Sequence, residues 1–430
     1  MRASGSARGS ASGPAGMWDR RGVLRAAGGI AALGALAACG SDNGRSGGGG
    51  SGRRLTQYFH AYGEPGTQEA VKRYAKGFAG ADVRTQWITG DNFEAKLFSA
   101  LLSSDAPDVF EFHPQIHMVK AGQIEPLDDI IEPVKDDFRP ADIASHTVDG
   151  RIWGVRMIDD PQFFFYRKSL LAEAGVAPPQ TLDELVEAAA ELTTDKVKGV
   201  FLGNKLHAII RPLIWASGAD CLDEKNRIAY HTDEVAANLG TLRTLFTSGN
   251  QLLDAPSDFW DPSALVQGLT AIQWCGMWAM PAMQRALGDD LGVFPFPSAA
   301  SGAEPAVYNG GWSMFVSSKA KDKDLAKEYV KWLWIDQKQH QEDWALGYGF
   351  HIPPRISLAD SAEKLQSGLP AEGVRLFDEF GHFDNPVWTQ AMIAALEDAV
   401  ADCVRGDMAP EAALDKADKK VDAELRKLFG

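Results

Sequence analysis

The sequence predicts an α/β protein of two lobes, and three observations carry that prediction. Residues 54–112 alternate strand-like and helix-like apolar patterns in the order β-α-β-α-β, which the right-handed crossover rule converts into a parallel sheet covered by helices. The chain has 430 residues, 45% of them hydrophobic and 10% aromatic, enough for more than one core. The stretch 149–182 then combines a turn at Asp149-Gly150, an acidic pair Asp159-Asp160, an aromatic run from Phe163 to Tyr166 and the breaker Pro178-Pro179. Two carboxylates at the end of buried strands, followed by a break, read as a polar site beside a junction.

Ahead of the fold lies an address. Arg20-Arg21 precede a small apolar run over 26–38, and Leu36-Ala37-Ala38-Cys39 has the form of a bacterial lipobox, in which the thiol of Cys39 is lipidated. Residues 1–39 are therefore expected to be a signal peptide. Met17 offers a second possible start, and the arginine pair also resembles a twin-arginine export signal. Residues 40–53 are Gly/Ser-rich and read as a flexible tether holding the body at the extracellular face of the cytoplasmic membrane. Within it, Gly44-Arg45-Ser46-Gly47-Gly48 matches a nucleophile pattern by accident, because no strand precedes it. The formal net charge of -15 argues against nucleic acid, whose phosphates require a basic face. No apolar run reaches the roughly 18 to 20 residues of a membrane-spanning helix. With Cys39 lipidated, Cys221, Cys275 and Cys403 remain, an odd set without metal-ligand spacing that allows at most one disulfide.

Each element follows from local pattern. Arg54 to His60 alternates as a strand, and a helix opens at Thr67 with Ala70, Val71, Tyr74, Ala75 and Phe78 on one face. Val83, Thr85 and Trp87 mark a second strand. Asp91 and Glu94 form a capping-box pattern for a helix over 91–103, and residues 107–112 form a third strand. Thr181 and Glu184 cap a helix to Leu192. Further strands are expected at 199–202, 270–275, 291–296 and 312–316, and helices at 206–217, 233–247, from Pro281, and at 321–334. Two helices separated by Gly406 and Pro410 end the chain over 388–429. Beyond the carboxyl ends of the first and third strands, His60, Tyr62 and Glu64 should share an edge with Glu111 and His113.

These residues resemble the extracellular solute-binding proteins of ABC importers, in the carbohydrate-binding group similar to maltose-binding protein. The resemblance rests on Pro107-Asp108-Val109, on the run from Ala121 to Asp128, and on Asp149-Gly150-Arg151-Ile152-Trp153-Gly154. It continues through Tyr166-Arg167-Lys168, Ala174-Gly175, Pro178-Pro179-Gln180-Thr181-Leu182, Gly310-Gly311-Trp312-Ser313 and Ala326-Lys327-Glu328-Tyr329. It covers nearly everything from Leu55 on, although Arg167 stands where such proteins carry asparagine and Arg156 where proline is common. The resemblance implies a two-lobed periplasmic-binding-protein-like fold of type II, each lobe a mostly parallel sheet flanked by helices, with hinge crossovers and a ligand cleft between lobes. Residues 54–168 and 307–352 are expected to form the first lobe and 169–306 and 353–430 the second, with the chain crossing from Tyr166 onward.

The implied ligand is a mono- or oligosaccharide, passed to the permease subunits of an ABC transporter by a lipid-anchored monomer without a cofactor. A sugar site needs aromatic faces for the C–H side of the ring and polar groups for its hydroxyls. Asp160 falls on the acidic position six residues before the family tyrosine, and Trp278 on a stacking tryptophan. Trp215 and Trp388 are further aromatic candidates from the second lobe. Gly311 and Trp312, which follows the glycine pair, are candidates too, while His60, Glu64, Glu111 and His113 line the edge of the first sheet. Each has a plainer reading: Asp160 as a turn cap at Pro161, the tryptophans as core, His113 with His117 as loop polarity. A glycosidase using paired carboxylates such as Glu111 and Asp160, or a sugar sensor reporting to a membrane kinase, are the alternative functions.

Overall fold

The computed structural model describes residues 52–430; the leader, its Cys39 and most of the tether lie outside the described residues. Thirteen strands occur among them: β1 (Arg54–His60), β2 (Asp82–Ile88), β3 (Val109–Phe112), β4 (Thr147–Val148), β5 (Arg151–Ile152), β6 (Val155–Ile158) and β7 (Pro161–Arg167), then β8 (Lys198–Phe201), β9 (Thr270–Gly276), β10 (Leu291–Phe294), β11 (Val307–Asn309), β12 (Trp312–Val316) and β13 (Gly381–Phe383). They form two principal sheets. The first has the order β2-β1-β3-β12-β6; the second runs β13-β11-β7-β9-β8, with β10 also on β7.

The predicted opening is present. β1 pairs in parallel with β2 and β3, and the helices Thr67–Gly77 and Gly90–Leu102 supply the crossovers. Both sheets are mixed rather than mostly parallel, however. β12 is antiparallel to β3 and β6, and β7 is antiparallel to β9, β10 and β11. The cause is connectivity: a strand that re-enters a sheet from the other lobe is not bound by the crossover rule that keeps β1, β2 and β3 parallel.

The same pairing moves the lobe limits. β7 and β11 both belong to the second sheet, so the chain leaves the first sheet at Asp159-Asp160, before Tyr166, and returns at Gly310-Gly311. β7 explains the aromatic run. Its side chains alternate between faces, Phe164 joining the core under the helices of the second sheet while Phe163 and Phe165 join a core that continues into the first. All three are fully buried.

Local capping matches the sequence at Thr181 but not at Asp91. Glu184 N–H donates to Thr181 Oγ1 at 3.2 Å, and the Glu184 carboxylate accepts from Gln180 N–H at 2.7 Å. The helix expected to open at Asp91 instead begins at Gly90 after Thr89, and the Asp91 side chain lies outside the described residues. The helix expected over 321–334 runs from Lys323 to Lys331 and widens into a π turn over Trp332–Asp336. Cys221, Cys275 and Cys403 are buried free thiols.

Candidate ligand-binding cleft

Three stretches of chain meet between the sheets. Asp159 N–H donates to the Ile352 carbonyl at 2.9 Å and Ile352 N–H returns to Asp159 at 3.0 Å, while Gly310 N–H donates to the Asp160 carbonyl at 3.1 Å. Asp160 N–H is in turn bound by Asn309 Oδ1 at 2.9 Å. Gly311 is required here: its φ is +66°, and a Cβ on it would lie 2.4 Å from the Ile158 carbonyl oxygen. The sequence prediction for Gly311 therefore lands at a crossing, as backbone.

The first wall is built from the carboxyl ends of β1 and β3 and the start of β12. His60 stacks on Trp312, ring centres 3.9 Å apart, and His113 approaches the same indole at 4.3 Å. Glu111 is wholly buried and accepts from His60 Nδ1 at 2.7 Å, from His60 N–H, and from Tyr62 Oη at 2.7 Å. It thus orients His60 and Tyr62 instead of facing the cleft. Burial, then the neighbouring Glu111, push the Tyr62 hydroxyl well above its usual range. His113 binds the Gly311 carbonyl through Nδ1 at 2.9 Å, and burial drives it down to about 4, so that it is neutral at physiological pH. Its remaining electrostatic neighbours include Asp384 and Arg211, which belong to the opposite wall.

That wall comes from the second sheet and the helix His207–Ala216. Tyr308 on β11 donates to Asp384 Oδ2 at 2.8 Å, Arg211 pairs with Asp384 Oδ1, and the Arg211 guanidinium lies 4.3 Å above the Tyr308 ring. Trp215 stacks on His382 with centres 4.6 Å apart and planes 9° apart, and its indole N–H donates to Asp220 at 3.2 Å. Trp278 is half-buried, covers the backbone of Gly276, and donates its indole N–H to the Trp260 carbonyl at 3.0 Å. Trp388 is elsewhere. It is 3% exposed, packs edge-on against Tyr230 in the helical core of the second lobe, and its indole N–H has no partner among the described residues. A buried core tryptophan and a cleft tryptophan look alike in sequence.

Asp160 and Glu64 converge on a residue that sequence reasoning missed. His351 Nδ1 contacts Asp160 Oδ1, and Nε2 contacts Glu64 Oε1 at 3.0 Å. The only local signal was the Gly347 to Pro354 stretch, rich in breakers, which forms the third crossing segment. Tyr308, Arg211, His382 and Asp384 were also missed. They are brought together from separate segments and share no spacing.

Two α/β lobes laced by three crossings, with polar and aromatic groups on both walls, leave a candidate ligand cleft between them. Residues 60–334 match the family described as bacterial extracellular solute-binding protein, and the chain belongs to that family. Among curated relatives, it is 24% identical over 294 residues to an arabinooligosaccharide-binding protein of Halalkalibacterium halodurans, covering 63% of this chain and 64% of that one. It is 26% identical over 331 residues to the diacetylchitobiose binding protein DasA of Streptomyces coelicolor, covering 70% and 76%. Among solved structures, a solute-binding protein from Thermotoga lettingae bound with α-D-tagatose superposes with a TM-score of 0.75 at 18% identity, over 87% of this chain and 100% of that one. The GacH receptor of Streptomyces glaucescens, solved unliganded and with acarbose, gives 0.75 at 23% identity, over 88% and 98%.

Proposed function

We propose that this protein is a carbohydrate receptor of an ABC importer, which captures a mono- or oligosaccharide between its lobes and delivers it to the permease. The observation that carries this reading is the pairing of an aromatic-lined wall at Trp312 and His60 with a polar one at Tyr308, Arg211 and Asp384, the combination a sugar ring and its hydroxyls require. Family membership and relatives named for arabinooligosaccharide and diacetylchitobiose binding support it. The glycosidase alternative has no support among them, and Glu111, one of its two proposed carboxyls, is committed to His60 and Tyr62.

The finer elements belong to the same reading. Cys39 is the lipid anchor that keeps the receptor at the outer face of the cytoplasmic membrane, residues 40–53 are its tether, and the receptor acts as a monomer. His60, Tyr62, Asp160, Glu64, Trp278 and Trp215 face the ligand, directly or from just behind it. Thermal unfolding across a panel of neutral mono- and oligosaccharides tests the function: at a hundredfold excess over its dissociation constant, the true ligand stabilises the folded chain by about 2.7 kcal/mol. A panel that leaves the transition unmoved overturns the proposal. Labelling of the full chain with a radioactive fatty acid, lost in Cys39→Ala, tests the anchor.

A further inference from the structure

His351 is buried, and each of its ring nitrogens faces a carboxylate from a distant part of the chain, Asp160 at the first crossing and Glu64 beyond β1. An imidazole with an acceptor at both nitrogens is satisfied only as the imidazolium, which donates twice. Burial opposes that charge, but Asp160 and then Glu64 outweigh it and hold His351 at about 10. The corner is tight. A Cβ on Gly349 would lie 3.0 Å from His351 Nε2, 3.2 Å from Glu64 Oε1 and 3.2 Å from the Trp278 carbonyl oxygen, so the second lobe's rim meets the histidine there.

Asp160 gives Oδ1 to His351, while Oδ2 accepts no hydrogen bond from the described residues and is not among the sealed, unpartnered atoms. A carboxylate fixed at one oxygen and open at the other is an oriented acceptor. Two carboxylates share one imidazolium, so the corner is acceptor-rich and carries net negative charge. We infer that His351 is a positioning residue for ligand binding: it clamps Asp160 so that the free oxygen receives a hydroxyl donor of an uncharged sugar, and the surplus carboxylate turns away uronates and sugar phosphates. This rests on the carbohydrate-receptor reading and names the ligand's charge class and the group that enforces it.

The test uses the full chain and titrations with maltose, mannotriose, diacetylchitobiose and tagatose, plus glucuronate as the anionic probe. For the sugar that binds wild type, His351→Leu weakens affinity about tenfold or more, because Asp160 loses its orienting donor. His351→Gln, which can still donate to Asp160, recovers most of the loss, and glucuronate binds none of the three proteins. Binding by His351→Leu equal to wild type, or tighter binding of glucuronate than of the neutral sugars, overturns the inference. So does a loss that is the same in the leucine and glutamine variants. If the leucine variant does not fold, the pH profile decides. The titratable neighbours of the corner are Asp160, Glu64, His60 and Tyr62, and of these Glu64 is held below and Tyr62 well above their ordinary values. Wild-type affinity should therefore fall as pH rises toward about 10 while that of His351→Gln stays level; parallel profiles overturn the inference. If no neutral probe binds wild type, it is the carbohydrate reading that fails, and this inference fails with it.

Discussion

Asp159 and Asp160 are neighbours in the chain with opposite surroundings. Successive side chains at a strand end point to opposite faces, so the two carboxylates leave the first crossing in different directions. Asp159 is fully buried and held by Arg139 at 3.0 Å, by Asn309 Nδ2 at 2.8 Å and, more loosely, by Arg156 at 3.5 Å. Arg156 also donates to Asp142 at 2.8 Å and to the Gly310 carbonyl at 3.1 Å, so this side is a sealed network joining two crossings to the first lobe. Asp160 faces the other way, toward His351, Glu64 and the cleft. One residue of the pair secures the crossing, the other turns toward His351 and its partner Glu64.

That division can be broken at either end. Asp159→Ala leaves Arg156 and Arg139 short of a buried counter-charge and should cost about 3 to 5 kcal/mol of stability, measured by urea unfolding without ligand. Asp160→Ala should cost less, about 1 to 3 kcal/mol from the loss of one partner of His351, and should abolish sugar binding while the chain still folds. If the two variants lose the same stability, both carboxylates are structural and the division is wrong.

The pH dependence sharpens the contrast on the cleft side. The folded value of His351 is raised from 6.5 to about 10, so its stabilisation is fully present below pH 6.5 and is lost as pH rises through about 10. Urea midpoints should fall over that interval in wild type and fall less in His351→Gln. The smallest effect is expected outside both networks: Trp388→Phe should cost about 1 to 1.5 kcal/mol as a core change, with sugar affinity unaltered. A loss of affinity in that variant would return Trp388 to the cleft.

How much of this was legible follows from distance along the chain. The opening β1, β2 and β3 with their helices, and the Thr181–Glu184 box, are local patterns whose partners lie within a few residues, and they were read correctly. Asp160 was singled out by a family spacing. Its partner was not, because His351 lies 191 residues away and no periodicity connects them. Glu111 was placed at the strand edge, but its partners were not legible. Its environment depends on hydrogen bonds from Tyr62 and His60, which strand alternation does not reveal. The mixed sheets were missed for a similar reason: β7 and β12 look like ordinary strands, and their direction is set by which lobe the chain has just left.

The place of β12 has a consequence for how the chain comes to be folded. It lies between β3 and β6, pairing Ser313 with Phe112 on one side and with Arg156 on the other. Until that late segment is made, β3 and β6 carry bare edges, open to pairing with any other extended chain. The second sheet likewise waits for β11 and β13. Neither half can be finished from a contiguous piece of sequence, so acquisition of structure should be slow, with most long-range pairings forming only after much of the chain has been synthesised. A fragment ending before Trp312 should accumulate as an aggregate and not as a smaller receptor.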